Sequence, residues 1–346
     1  MLMSSRTAII AILSATLSAC NPSTDAPSKN SLTVVSFGGP YQEAQRTAYM
    51  IPFSKKYGIA LTEGEYNGEY GLISQRARAT SGSWDVVSVE SGPALRGGAE
   101  GLFKPIPEGL LDGLNIAPAA RRKFSVGHLS FATILAYPEA LGKQAPSSWI
   151  DFFDLKKYPG RRGLRNNPRG TLEIALLADG VAPDKLYPLD VERALHKLET
   201  IRSSIVFWDS GAQPTQLLAN NSVAMTSAFN GRIWSAKTKD KLPVGWTFKS
   251  GLYEYEYWAV PKNAPHPDLA FRFIRFSLEK DAQADFANQI AYLPTNLDAM
   301  PLISPNVRSA MPGGSDKQDE VIVDAEWWAQ NEGQVGARWE RWMAGH

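Results

Sequence analysis

Gly251-Leu-Tyr-Glu-Tyr-Glu-Tyr-Trp-Ala-Val260, closed by Pro261, is the stretch on which the reading of the fold turns. Aromatic residues alternate with acids along it, the period-two pattern of a strand, and Pro261 ends it because proline has no N–H to give to a ladder. The alternation places Glu254 and Glu256 on one face and Tyr253, Tyr255 and Tyr257 on the other. So long a strand so late in the chain is expected to return the backbone from a second lobe to a first. Its counterpart, His128 to Tyr137, reads as the outward crossover. Two crossovers make both lobes discontinuous and form a hinge on which they close as rigid bodies. On this reading residues 32–130 with 256–302 form lobe 1, and residues 131–255 with 303–346 form lobe 2.

Around these crossovers short β-branched or aromatic runs alternate with amphipathic stretches, the pattern of layered α/β domains. Leu32 to Ser36 reads as a first buried strand, turned by Phe37-Gly38-Gly39-Pro40 into a helix with Ala44, Ala48 and Ile51 on its buried face and a kink at Pro52. Further strands are expected at Trp84 to Ser88, Arg161 to Arg165, Ile205 to Trp208 and Ser222 to Ser227. Helices are expected at Glu69 to Ala79, Gly170 to Asp179, Pro267 to Leu278 and Asp281 to Ile290. Asp190 caps a further one, which carries Val191, Ala194, Leu195, Leu198 and Ile201 at helical spacing. A Trp-rich helix, Asp319 to Met343, closes the chain, with Trp327, Trp328, Trp339 and Trp342 read as packing residues.

The chain has 346 residues, 44% hydrophobic and 21% charged, enough for two cores. Lys plus Arg (36) balances Asp plus Glu (35), which argues against nucleic acid or another polyanion as partner. Cys20 is the single cysteine, so no intrachain disulfide can form. Residues 1–20 read as an export signal: Arg6 precedes an apolar run from Ala8 to Leu17, shorter than the ~20 residues of a membrane-spanning helix. Leu17-Ser18-Ala19-Cys20 resembles a lipobox, in which the Cys20 thiol is acylated; the alternative is cleavage after Ala19 that leaves a free thiol. Residues 21–31, rich in Pro, Ser and Asn, read as a flexible tether. The protein is therefore expected outside the cytoplasm, in the periplasm, anchored to a membrane through Cys20.

Catalytic signatures are missing. There is no G-x-S-x-G, H-E-x-x-H, Walker-type loop or G-x-G-x-x-G after a strand, and His128, His196, His266 and His346 are scattered. The reading is a binding protein without catalytic residues, cofactor or metal.

A family likeness then emerges. Thr33-Val-Val-Ser-Phe-Gly-Gly-Pro-Tyr-Gln-Glu-Ala44, Trp84-Asp-Val-Val87, Trp149 with Lys157-Tyr-Pro-Gly-Arg-Arg162, Phe229-Asn-Gly-Arg232, Ala259-Val-Pro-Lys262 and Ala291-Tyr-Leu-Pro-Thr-Asn296 occur in an order and spacing that resembles bacterial solute-binding proteins of the spermidine/putrescine-binding type. The resemblance runs from about residue 32 to the C-terminus. It implies a two-lobed α/β periplasmic-binding-protein fold, type II-like, with a small solute in the interlobe cleft and delivery to the permease subunits of an ABC importer, the receptor acting as a monomer. In that family aromatic rings and carboxylates grip a polyamine, because each ammonium needs a charge-assisted acceptor once water is excluded.

Carried over by position, the resemblance implies ligand contacts from Phe37 and Tyr41 after the first strand, Ser88 and Glu90 after the second, Asn230 and Arg232 in the second lobe, Glu254 and Glu256 on the return strand, and Tyr292 at its turn. Phe37 reads equally as a core aromatic, Tyr41 as packing of its helix, and Glu90, Glu254 and Glu256 as solvated acids. One departure matters. Where the family has an acidic pair, this chain has Asn166-Asn-Pro-Arg-Gly-Thr171, which sets Arg169 and Thr171 beside a helix N-terminus and suits an anionic group. Arg169 pairing a structural acid such as Glu173 is the alternative, and Arg232 clamps a carboxylate or bridges the lobes. An amine solute is the first expectation; the rivals are a zwitterionic or anionic one (an amino acid derivative, opine or aminophosphonate), an exported enzyme on the same scaffold, and a chemosensory receptor.

Overall fold

The computed structural model describes residues 30–313 and 319–345. The export signal with Cys20 and nearly all of the expected tether lie outside the described residues. Ser31, expected in the tether, already belongs to the first strand.

Among the described residues ten strands form one sheet: β1 (Ser31–Ser36), β2 (Ala60–Glu65), β3 (Val86–Glu90), β4 (Val126–Pro138), β5 (Arg162–Arg165), β6 (Ile205–Trp208), β7 (Met225–Phe229), β8 (Val244–Ala259), β9 (Leu293–Pro294) and β10 (Val321–Ile322). The order is β2-β1-β3-β8-β4-β7-β5-β6, with β9 on β4 and β10 on β8. The two expected crossovers, β4 and β8, are its centre and run antiparallel from Val126 opposite Trp258 to Pro138 opposite Val244. β4 is buried without a break from Val126 to Ala136, with His128, Ser130 and Thr133 buried among its apolar residues. On one side stand the parallel strands β2, β1 and β3; on the other stand β7, β5 and β6, also parallel.

Each set has its own core. Leu32, Val34, Phe53, Trp258, Phe273 and Phe286 cluster over one face of the first set, and Val35, Ile73, Val87 and Tyr257 over the other. Across the crossovers Leu135, Phe152, Leu164, Leu172, Leu198 and Trp328 form the largest cluster of the second set. The terminal helix Ala325–Met343 joins this cluster through Trp328, Trp339 and Trp342, and Trp327 packs half-buried against it.

Three local expectations are corrected. Ile51 is 56% exposed although Ala44 and Ala48 are buried. A π-helical turn at Arg46–Met50 sits just before Pro52, whose ring removes one helical N–H, and the wider turn rotates Ile51 off the core face. β8 begins seven residues before Gly251, at Val244, because pairing with β4 overrides a segment of mixed polarity; the register shifts near Thr133, where Ser250 takes φ 53°. The last helix starts at Ala325, where the Asp324 side chain accepts from the N–H groups of Glu326 and Trp327.

Candidate functional site

Ligands of open α/β sheets bind at the carboxyl ends of parallel strands, and here both parallel sets turn those ends to one cleft. β1 is followed by Phe37, β3 ends on Glu90, β5 ends on Arg165, β6 is followed by Asp209, and β7 ends on Phe229 just before Arg232. Together with Tyr41, Asn67, Phe131, Gly211, Glu256 and Tyr292 they enclose a cavity of about 30 Å³.

Its acids are unequal. Glu90 and Glu256 are direct cross-strand partners on β3 and β8, a like-charge pairing that costs stability unless something neutralises it. Glu90 is neutralised by arginines: Arg165 Nη1 donates to its Oε1 at 2.8 Å and Arg169 Nη2 donates to its Oε2. Burial alone would raise the Glu90 carboxyl, but the two guanidinium groups outweigh it and hold Glu90 below the ordinary range. Glu256 has only neutral donors, the Tyr41 hydroxyl at 2.7 Å and the Ser88 hydroxyl. Burial therefore pushes it up to about 7, against the pull of those donors. Glu254 lies two residues along the same face, with Arg169 Nη1 at 3.8 Å, and burial pushes it up to about 7 as well. Asp209 stands exposed at the cavity edge, held by Asn166 Nδ2 at 3.0 Å, and makes no ion pair among the described residues.

Arg232 is 5% exposed. Its Nη2 donates to the carbonyl oxygens of Phe37 and Gly38 at 3.0 and 3.1 Å, while its Nη1 is buried without a partner among the described residues. Gly39 makes this approach possible: it holds φ 59°, and a Cβ there would lie 2.9 Å from Arg232 Nη1. The walls are aromatic. Phe37 stacks on Tyr66 at 5.0 Å, Phe131 meets Phe229 edge-on at 5.3 Å, and Tyr41 meets Tyr292 edge-on at 5.8 Å.

Of the residues singled out in the sequence, Phe37, Tyr41, Glu90, Arg232, Glu256 and Tyr292 line this cavity. The other five stand behind it. Ser88 supports Glu256, Arg169 joins Glu90 to Glu254, and the Thr171 hydroxyl donates to the Arg165 carbonyl at 2.9 Å. Asn230 ties β4 to the turn after Ile290, accepting from Ala132 N–H at 3.0 Å and donating to the Ala291 carbonyl at 2.9 Å. Glu173, the alternative partner for Arg169, instead accepts from Gly170 N–H, Tyr187 and Trp328. Sequence reasoning missed Arg165, Asp209, Asn67 and Phe131 as cavity residues. Arg165 and Asp209 were findable as residues at the carboxyl ends of short strands; Phe131, inside a strand buried along its whole central length, gives no local signal.

A profile described as bacterial extracellular solute-binding protein matches residues 48–312. The chain belongs to that family. A γ-aminobutyric acid-binding protein of Pseudomonas aeruginosa is 38% identical over 322 residues, 91% of each chain. The spermidine/putrescine-binding periplasmic protein of Escherichia coli is 24% identical over 306 residues, 84% of this chain and 86% of the relative. Among solved structures, the Atu4243-GABA receptor superposes with a TM-score of 0.82 at 33% identity, covering 92% of this chain and 98% of its own. The fold is thus the two-lobed one of periplasmic binding proteins. The protein is a solute-binding component of an ABC importer, from a family that binds solutes rather than transforming them. Among the described residues no helix is long and apolar enough to cross a membrane.

Proposed function

We propose that the cleft captures a short zwitterion with its carboxylate and ammonium at opposite ends, of the γ-aminobutyrate kind, and that the closed form is presented to the permease. The observation that carries this reading is the state of the charged groups. A diamine needs an anionic acceptor at each end, yet Glu90 is already paired with Arg165 and Arg169. Among the described residues Glu256 is the buried lining acid left without a cation and can accept one ammonium, while Asp209 stands exposed at the edge, and Arg232 Nη1 is a buried donor with no acceptor, suited to one carboxylate. Tyr41 lies between the two functions, its hydroxyl on Glu256 and its ring 5.8 Å from the Arg232 guanidinium, so a chain of a few methylenes packs on aromatic faces between charged ends. The relatives named for γ-aminobutyric acid support the same class.

Closure on this ligand uses β4 and β8 as the hinge, with the lobes divided as 32–130 plus 256–302 and 131–255 plus 303–346. Acylation of Cys20 tethers the monomeric receptor to a membrane through the segment up to residue 30. A thermal-shift panel tests the ligand class. γ-Aminobutyrate is expected to raise Tm, while butyrate and butylamine, each lacking one charged end, leave it within about 1 °C. Stabilisation by butylamine equal to that by γ-aminobutyrate would remove the role given to Arg232.

A further inference from the structure

Resting on the zwitterion reading, we propose that Arg165 and Arg169 act as built-in substitutes for the second ammonium of a diamine, and that their pairing with Glu90 sets the selectivity of the cleft. Glu90 ends β3 and lines the cavity, the place from which a carboxylate would reach a ligand amine. Both of its oxygens are taken, one by Arg165 and one by Arg169.

The two arginines have different positions. Arg169 is 2% exposed and reaches past Glu90 to Glu254. It is aimed there by a break in the helix Pro168–Ala178, where Arg169 has extended ψ 129° and Gly170 has φ 85°. Gly92 leaves the space it occupies, since a Cβ there would stand 2.9 Å from Arg169 Nη1. Arg165 is the member that faces the cavity, its guanidinium 5.5 Å from the Phe229 ring centre. A second ligand ammonium would have to displace Arg165 from a largely buried carboxylate that it already holds. A ligand carboxylate meets no uncompensated negative charge from Glu90. If Arg165 were absent, the Glu90 oxygen it holds would face the cavity and could serve a second ammonium, so at Glu90 exclusion is built from an added cation on an acid that is present.

The test titrates the mature protein, R165Q, R165K and E90Q with γ-aminobutyrate, putrescine and succinate by calorimetry, with circular dichroism confirming the fold. In R165Q the Glu90 oxygen that Arg165 held opens to the cavity while Arg169 keeps the other, and this is expected to weaken γ-aminobutyrate about tenfold and strengthen putrescine about tenfold, a preference shift of about 100-fold. R165K keeps the charge and restores exclusion of putrescine. E90Q leaves the arginines in excess and gains affinity for succinate. Folded R165Q with the wild-type order of ligands and affinities within threefold overturns the inference and leaves the zwitterion reading intact. If wild type itself binds putrescine better than γ-aminobutyrate, the zwitterion reading fails first. If R165Q does not fold, E90Q decides: a gain for succinate supports the selectivity role, and an unchanged ligand order overturns it.

Discussion

Arg232→Gln probes the cleft at the group with the most to lose. Arg232 donates to the carbonyls of Phe37 and Gly38 through Nη2, and the proposed reading gives its unpartnered Nη1 to the ligand carboxylate. Glutamine is too short to do both and carries no charge. A hydrogen bond to a charged group contributes about 1.5 to 3 kcal/mol, so losing the ligand carboxylate together with one closing contact amounts to about 3 kcal/mol, on the order of a hundredfold in Kd. Lysine retains the charge but not the planar fork, and Arg232→Lys is expected to weaken binding about tenfold. Calorimetric titration with γ-aminobutyrate at pH 7.5 reads both. A folded Arg232→Gln protein that binds within threefold of wild type would refute the placement of the carboxylate on this residue.

Binding should depend on pH through Glu256. Its folded value of about 7 lies above the ordinary 4.5, so the empty fold holds a proton that the unfolded chain releases, and its contribution to stability is lost as pH rises from about 4.5 through 7. A ligand ammonium needs the anion; Kd is expected to rise about tenfold per pH unit below 7 and to flatten above it, and a titration series in which Glu256→Gln retains that slope would contradict the assignment. Gly39→Ala strains a residue at φ 59° and pushes its methyl against Arg232, so a loss of affinity of at least tenfold is expected by titration, with little change in Tm. Arg162 is fully buried and donates to the carbonyls of Phe152, Asp154, Tyr158 and Gly160; Arg162→Met orphans them and should cost about 3 kcal/mol or more, read as a lowered midpoint in denaturant. Cys20→Ala should move the protein from the membrane fraction to the soluble periplasmic fraction, and unchanged fractionation would argue against acylation.

The architecture was legible because its decisive elements are long and regular. The run from Gly251 to Val260 states its strand character in a two-residue period, the run from His128 to Tyr137 is long enough to be read as its counterpart, and Asp190 marks a helix start with a side chain that accepts from the Arg193 N–H. Ile51 was misplaced because helical periodicity assumes 3.6 residues per turn, and the π turn before Pro52 breaks that count. In the cleft, the family resemblance brought Glu90 and Arg232 into view, but pairing is a tertiary fact. Nothing local to Arg165 announces that it lands on Glu90, 75 positions away, or that Arg169 lies between Glu90 and Glu254. Those contacts are what lead from a set of acids that reads as amine-binding to the proposed site with an acidic end and a basic end.

The central claim is that this cleft selects opposite charges at the two ends of a short chain. Calorimetric titration of the mature wild-type protein with γ-aminobutyrate and, separately, with putrescine at pH 7.5 tests it directly, because the two ligands have chains of similar length and differ in the charge of one end. The account predicts one-to-one binding of γ-aminobutyrate at least a hundredfold tighter than putrescine; putrescine binding as tightly or more tightly would contradict it.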